Sequence, residues 1–283
     1  MASFTNFATL SYNGGTTNSN IVTGEILEAL TAVKTAVSAN YSAGDRITYA
    51  LSLVNTGTAA ITDYTVTDNL GGYTVGANTV YPLAYNAGTV RYYINGVLQT
   101  APTVTAGPPL SVTGLTVPAG GNAVLIYETT ATPVAPLATG NSITNTATIT
   151  GGGLTTPITA QATVDTANSA DLTISKALSP TTVTENGRIT YTFVISNTGN
   201  TEATATGNVV VTDTFAPILR NIAVTYNGTA WTEGTNYTYN AATGVFTTLA
   251  GQITVPAASF TQNTDGTFTV TPGTATLVIT GTV

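Results

Sequence analysis

Gly44 to Gly57 reads Gly-Asp-Arg-Ile-Thr-Tyr-Ala-Leu-Ser-Leu-Val-Asn-Thr-Gly. It is a β-prone run, Arg46–Val54, closed by a turn triplet. The same phrase returns 142 residues later as Asn186-Gly187-Arg188-Ile189-Thr190-Tyr191, with Asn197-Thr198-Gly199 at the same offset. Working outward, Lys34 stands twelve residues before Arg46, and Lys176 twelve before Arg188. Further on, Val66-Thr67-Asp68 is answered by Val211-Thr212-Asp213, and Pro118…Ala123-Val124-Leu125-Ile126 by Pro272…Ala275-Thr276-Leu277-Val278. Five matches in order mean two copies of one unit in tandem.

The remaining text is of the same kind. Short runs rich in Thr and Val recur at Asp63–Thr67, Val90–Ile94, Ala123–Tyr127, Ile143–Thr150, Ile189–Ser196, Asn208–Thr212 and Ala275–Thr280. Turn residues separate them, and Asn95-Gly96 and Asn227-Gly228 suit tight hairpins. Strands at this spacing make an all-β chain of sandwich or barrel type. Only Gly24–Lys34 reads as a possible turn or two of helix. The chain divides into a leader and linker (1–24), a first domain (25–166) and a second (167–283). Its 283 residues suffice for two hydrophobic cores.

Composition excludes much. Charged residues are 7% of the chain, six basic against thirteen acidic, where about 25% is usual. No basic patch can be assembled, so no nucleic-acid partner is expected. With no His and no Cys, the usual zinc ligands, thiol nucleophiles and Ser-His triads are missing. Asp63 and Asp68 do not gather the further oxygens that calcium needs. No glycine cluster has the order of a phosphate loop. The expectation is a non-enzyme without metal or cofactor. No run of 18 apolar residues spans a membrane, and Met1-Ala2-Ser3-Phe4 does not read as a signal peptide. A surface built from Thr, Asn, Ser and Gly relies little on charge repulsion, which suits a protein that associates.

The phrases Gly44-Asp45-Arg46-Ile47-Thr48-Tyr49, Asn55-Thr56-Gly57, Val66-Thr67-Asp68 and Asn145-Thr146-Ala147 resemble the "conserved repeat" domains of bacterial and archaeal surface proteins. The second copy departs from that pattern where Asn186 replaces the Asp. The resemblance covers nearly the whole chain. It implies immunoglobulin-like sandwiches displayed outside the cell, with no activity on external substrates.

The two copies end differently. The first runs on past Tyr127 to Ser142-Ile143-Thr144-Asn145-Thr146-Ala147-Thr148-Ile149, whereas the second stops at Val283, the counterpart of Ala131. One strand is missing, which leaves unpaired backbone and exposed core. The N-terminus reads Ser3-Phe4-Thr5-Asn6-Phe7-Ala8-Thr9-Leu10, a near copy of that strand, with Phe4, Asn6, Ala8 and Leu10 where Ile143, Asn145, Ala147 and Ile149 stand. Strand donation from one subunit into the second domain of the next follows, and a heterologous contact of this kind propagates into a homopolymer. Folding back within one chain is disfavoured by the roughly 20 connecting residues. If Phe4 to Leu10 stand in solvent, or tuck against their own first domain, the polymer expectation collapses, and the reactive trio at the junction goes with it.

Strand alternation turns three polar residues per domain inward. Leu172, Ile174 and Lys176 share a face, as do Val209, Val211 and Asp213, and Ile143 with Asn145. Burying them is costly unless they meet. A desolvated lysine offers a neutral amine. That amine attacks the side-chain carbonyl of Asn and expels ammonia, while a buried carboxyl polarises the carbonyl and carries the protons. The result is an isopeptide bond, resembling the Lys–Asn staples of bacterial pilin domains. The assignment is Lys34, Asn145 and Asp68 in the first domain, and Lys176 and Asp213 acting on Asn6 of a neighbour in the second. Glu128 rivals Asp68 in the first copy only, because Thr280 stands at its place in the second. A buried ion pair without a bond is the plainer reading.

The expected function is a structural subunit of an extracellular filament on a cell or spore surface, with self as partner and a separate tip or anchor protein. Neither a sorting signal nor a membrane tail is read near Val283. The rival function is a monomeric adhesin. Tyr81, Tyr85, Tyr92 and Tyr93 are candidates for an adhesive patch in that case, or for ordinary sandwich packing.

Overall fold

A computed structural model describes residues 2–26 and 29–283. It is all-β, with one 3-10 turn at Ala205–Gly207 and no α-helix among the described residues. Gly24–Lys34, read as a possible helical turn, instead feeds the strands Val22–Ile26 and Leu30–Ala36, with Leu27 and Glu28 outside the described residues. The cause is tertiary: Leu30–Ala36 pairs along its whole length with Arg46–Asn55, Lys34 opposite Leu51, and ladder pairing overrides a weak helical preference.

Arg46–Asn55 alternates strictly, with Ile47, Tyr49, Leu51 and Leu53 all buried. That face founds the first core. Its sheet runs Leu30–Ala36, Arg46–Asn55, Asn122–Ala131, Arg91–Ile94, Val97–Leu98. The facing sheet runs Thr103–Thr105, Leu110–Val117, Ile61–Asp68, Ser142–Gly151, Ile158–Thr166, Asn40–Tyr41. Tyr64, Val66, Leu115 and Ile149 fill the space between the sheets.

The second core repeats the first sheet strand for strand: Leu172–Ser179, Arg188–Asn197, Gly273–Thr282, Arg220–Tyr226, Thr229–Trp231. Even the register is kept, with Tyr191 opposite Ile279 as Tyr49 is opposite Tyr127. The facing sheet is reduced to Thr212–Thr214, Val245–Thr248 and Tyr237–Asn240. The run read as a strand at Asn208–Thr212 forms its ladder later, at Thr212–Thr214, after the 3-10 turn. Asn208 takes a left-handed conformation there, which breaks the extended line early.

The hairpin readings hold. Ile94 pairs with Val97 across Asn95-Gly96, and Tyr226 with Thr229 across Asn227-Gly228. All four turn residues have positive φ, as the type I′ turn requires. Asn55 and Asn197 also organise turns. Each is buried, takes the N–H of the glycine two residues on at 2.9 Å, and donates to two carbonyls. The domains meet at Asn200, whose amide donates to the Leu137 and Ala167 carbonyls, 2.9 Å each, while Thr139 donates to its backbone oxygen at 2.7 Å.

The leader differs from a lone strand plus linker. Ala2–Asn6 pairs with Val22–Ile26, and Thr9–Tyr12 with Gly15–Asn18, making one long hairpin. Its hydrogen bonds among the described residues are internal. Phe4, Phe7, Leu10, Tyr12, Ile21 and Val22 are all exposed.

Candidate functional site

Lys34 projects from the middle of Leu30–Ala36 into the gap between the sheets, where its side chain is fully buried. Its Nζ lies 2.5 Å from Asp68 Oδ2, with the rings of Tyr49 and Tyr127 at 4.8 and 5.8 Å. The second Asp68 oxygen accepts the Leu70 N–H at 2.9 Å, and the Tyr127 hydroxyl donates to the oxygen that meets Lys34. Burial lowers the Lys34 amine to about 8, the attraction of Asp68 offsetting part of that fall. A neutral amine is therefore accessible near physiological pH.

Asn145 stands on the strand beside Asp68, two residues before Ala147, which is the register partner of Asp68. It is buried, and neither its Oδ1 nor its Nδ2 has a hydrogen-bond partner among the described residues. Leaving a buried polar group unpaired costs about 1–3 kcal/mol, a cost that the neighbouring Tyr49 and Tyr127 hydroxyls relieve in part. The Tyr49 hydroxyl is likewise buried and unpartnered. Burial, then the Asp68 charge, pushes both tyrosines up, and the Asn145 side chain pulls slightly the other way. Both keep their protons.

Sequence reasoning missed these two tyrosines. Alternation along Arg46–Asn55 and Asn122–Ala131 puts both on the inner face, and they lie opposite one another in register, so the signal was present. Glu128 lies at the surface, 3.5 Å from Arg46, and does not face Lys34. Tyr92 is a core residue, its hydroxyl bonded to the Thr116 carbonyl and accepting the Thr116 N–H. Tyr81, Tyr85 and Tyr93 are half-buried, so the four form no exposed patch.

The second centre keeps half of the first. Lys176 Nζ lies 2.5 Å from Asp213 Oδ2 and 4.4 Å from the Tyr191 ring centre. Ile279 occupies the register position of Tyr127. No strand adjoins the outer side of Thr212–Thr214 among the described residues, where Ser142–Gly151 adjoins Ile61–Asp68 in the first copy. The consequence is exposure: the Lys176 side chain is 39% exposed where that of Lys34 is 0%. Ile174 is 55% exposed and Leu178 39%, although they share the inner face with Lys176. Asn6 makes no contact with Lys176 in the single chain: it lies exposed in the leader hairpin. The leader thus stands in solvent, the first of the two placements that count against the polymer, and not on its own first domain.

The Lys34 amine yields a prediction. In an Asn145→Leu chain, which has no carbonyl to attack, the unfolded amine holds its proton to about 10.5 and the folded one only to about 8. From about 8 to about 9 the unfolded state holds the extra lysine proton, so stability rises with pH; nearer 10 the tyrosines freed by unfolding ionise while the buried ones keep their protons, which reverses the slope. Urea midpoints measured from about pH 8 to 9 test it, and a midpoint that falls over that range contradicts it.

No family model matches the chain, and no curated protein sequence matches it. Solved structures do. The major pilin subunit BcpA of Bacillus cereus is 14% identical, with 96% of this chain and 73% of that one covered, at a TM-score of 0.35. The C-terminal fragment of the major pilin GBS80 of Streptococcus agalactiae is 14% identical, with 87% of each covered, at 0.37. The N-terminal domain of the Streptococcus gordonii adhesin Sgo0707 is 13% identical at 0.36, over 48% of this chain; this chain spans 32% of that one. At these scores the likeness carries nothing about function.

Proposed function

We propose that the chain is the structural subunit of an extracellular filament. The leader of one subunit completes the second sandwich of the next, and Lys–Asn bonds lock both sandwiches. The observation that carries this reading is the unfinished facing sheet of the second domain beside its finished twin. The open edge at Thr212–Thr214, with Ile174, Lys176 and Leu178 of the opposite sheet half open to water, supports reading that edge as the seat. The same chain holds a spare copy of the strand that fills that seat in the first domain. A lone chain has no neighbour's seat to offer, so the exposed leader is the donor in its unmated state.

The covalent step balances within the trio. Asp68 takes a proton from the Lys34 amine across the 2.5 Å contact, and Nζ forms a bond to Asn145 Cγ. The C–N bond of the amide breaks, and Asp68 returns the proton to the leaving ammonia. In the second domain Lys176 and Asp213 await the carbonyl of an incoming Asn6. The subunit carries out no other chemistry in this reading, and uses no metal or cofactor.

Intact mass and gels test it. Each bond makes the subunit lighter by one ammonia, and boiled SDS samples of wild-type fibres should run as a ladder. Asn6→Ala is expected to assemble into fibres that heat and detergent return to monomer. A ladder that persists in Asn6→Ala removes the proposed junction.

A further inference from the structure

The first sandwich is finished by two strands, not one. Ser142–Gly151 is followed by Ile158–Thr166, which pairs with it, packs its Ala160, Ala162 and Val164 inward, and bridges Asn40–Tyr41. Among the described residues the second sandwich pairs no counterpart of either strand. Val183, at the place of Tyr41, is 37% exposed where Tyr41 is 1%.

The leader is a hairpin of two arms as well, and over Ser3–Asn6 its pairing parallels that of Ser142–Asn145. Ile143 faces Val164, Thr144 faces Thr163, and Asn145 faces Ala162. In the leader Phe4 faces Gly24, Thr5 faces Thr23, and Asn6 faces Val22, while Ser3 faces Glu25 as Ser142 faces Asp165. The volumes compensate across the pair. Phe4 is larger than Ile143 and Gly24 smaller than Val164, and the Phe4 ring so fills the space over Gly24 that a Cβ there would come within 2.3 Å of it. Beyond Asn6 the leader slips register by one residue, Thr9 facing Asn18.

We infer that the donated unit is the whole hairpin Ala2–Ile26, its second strand closing the neighbour's sheet where Ile158–Thr166 closes the first. This rests on the strand-donation reading and extends it. The filament is then an alternation of hairpin and sandwich, the first sandwich finished by a hairpin of the same chain and the second by the leader hairpin of the neighbouring subunit that donates to it. Val22 enters the core at the place of Ala162, and Thr23 stays outside with Thr163.

Single substitutions in the full chain separate the possibilities, because Phe4 and Val22 are both exposed in the free chain and circular dichroism can verify that each variant stays folded. Elongation from wild-type seeds is the readout. Val22→Asp puts a carboxylate into the neighbour's core and should slow elongation at least about tenfold. Val22→Ala, which copies Ala162, and Thr23→Asp should elongate as wild type does. Wild-type elongation of Val22→Asp alongside failure of Phe4→Asp would falsify the hairpin and leave a single donated strand. Wild-type elongation of Phe4→Asp overturns strand donation itself. Equal failure of Thr23→Asp and Val22→Asp overturns the inward placement of Val22.

Discussion

A chain lacking residues 2–12 is expected to stay folded and monomeric at concentrations where the full chain grows fibres. The deleted residues touch neither sandwich through a hydrogen bond among those described, and the first core is finished by its own hairpin. Neither sandwich is therefore held by them, and only Gly15–Asn18 and Val22–Ile26 lose their partners. What the deletion removes is the filler of the neighbour's seat. Phe4 and Leu10 are 53% and 63% exposed in the free chain, whereas Ile143 and Ile149, their counterparts in the finished sandwich, are 2% and 0%. Burying two such side chains is worth roughly 3–6 kcal/mol, before the backbone pairing along the edge is counted. Losing it weakens association by about two to four orders of magnitude. Light scattering and negative-stain microscopy at matched concentrations read the outcome. Fibres of normal length from the shortened chain would place the contact elsewhere on the molecule.

The sandwich pair was legible because period-2 alternation and a 142-residue repeat are long-range signals, and each confirms the other. Lys34 and Asp68 were legible for the same reason: strand parity fixes which face a side chain takes, and two inward polar residues in one small core have few places to go. Parity served less well near the leader. Val22–Ile26 reads as linker and possible helix because Thr23-Gly24-Glu25 has neither strong β propensity nor apolar alternation. It is a strand only through its partner Ala2–Asn6, and pairing partners are not written locally. The early start given to the Asn208–Thr212 strand has a related cause, since Val209-Val210-Val211 is as β-prone as any run in the chain. The left-handed turn at Asn208 was not read from its residue type, although Asn tolerates that conformation. Tyr49 and Tyr127 were visible to parity but went unread beside the charged residues.

Removing the first-domain staple should produce the other large effect. If Lys34 is bonded to Asn145, the link closes a loop of more than a hundred residues. By analogy with a disulfide of that span it stabilises by about 4–5 kcal/mol, or roughly 10–20 °C in Tm for a domain of this size. Asn145→Ala should lose that amount and regain the mass of one ammonia. The decisive comparison is Asn145→Leu, which leaves Lys34, Asp68 and the donors that Asp68 accepts from Leu70 and Tyr127 in place. On the ion-pair reading it melts at or above wild type, because it removes two buried polar atoms that lack a hydrogen bond. On the staple reading it loses the link and melts lower, because no apolar packing repays a covalent closure that long. The two readings differ in sign, so one calorimetric series decides between them, with intact mass measured on the same samples.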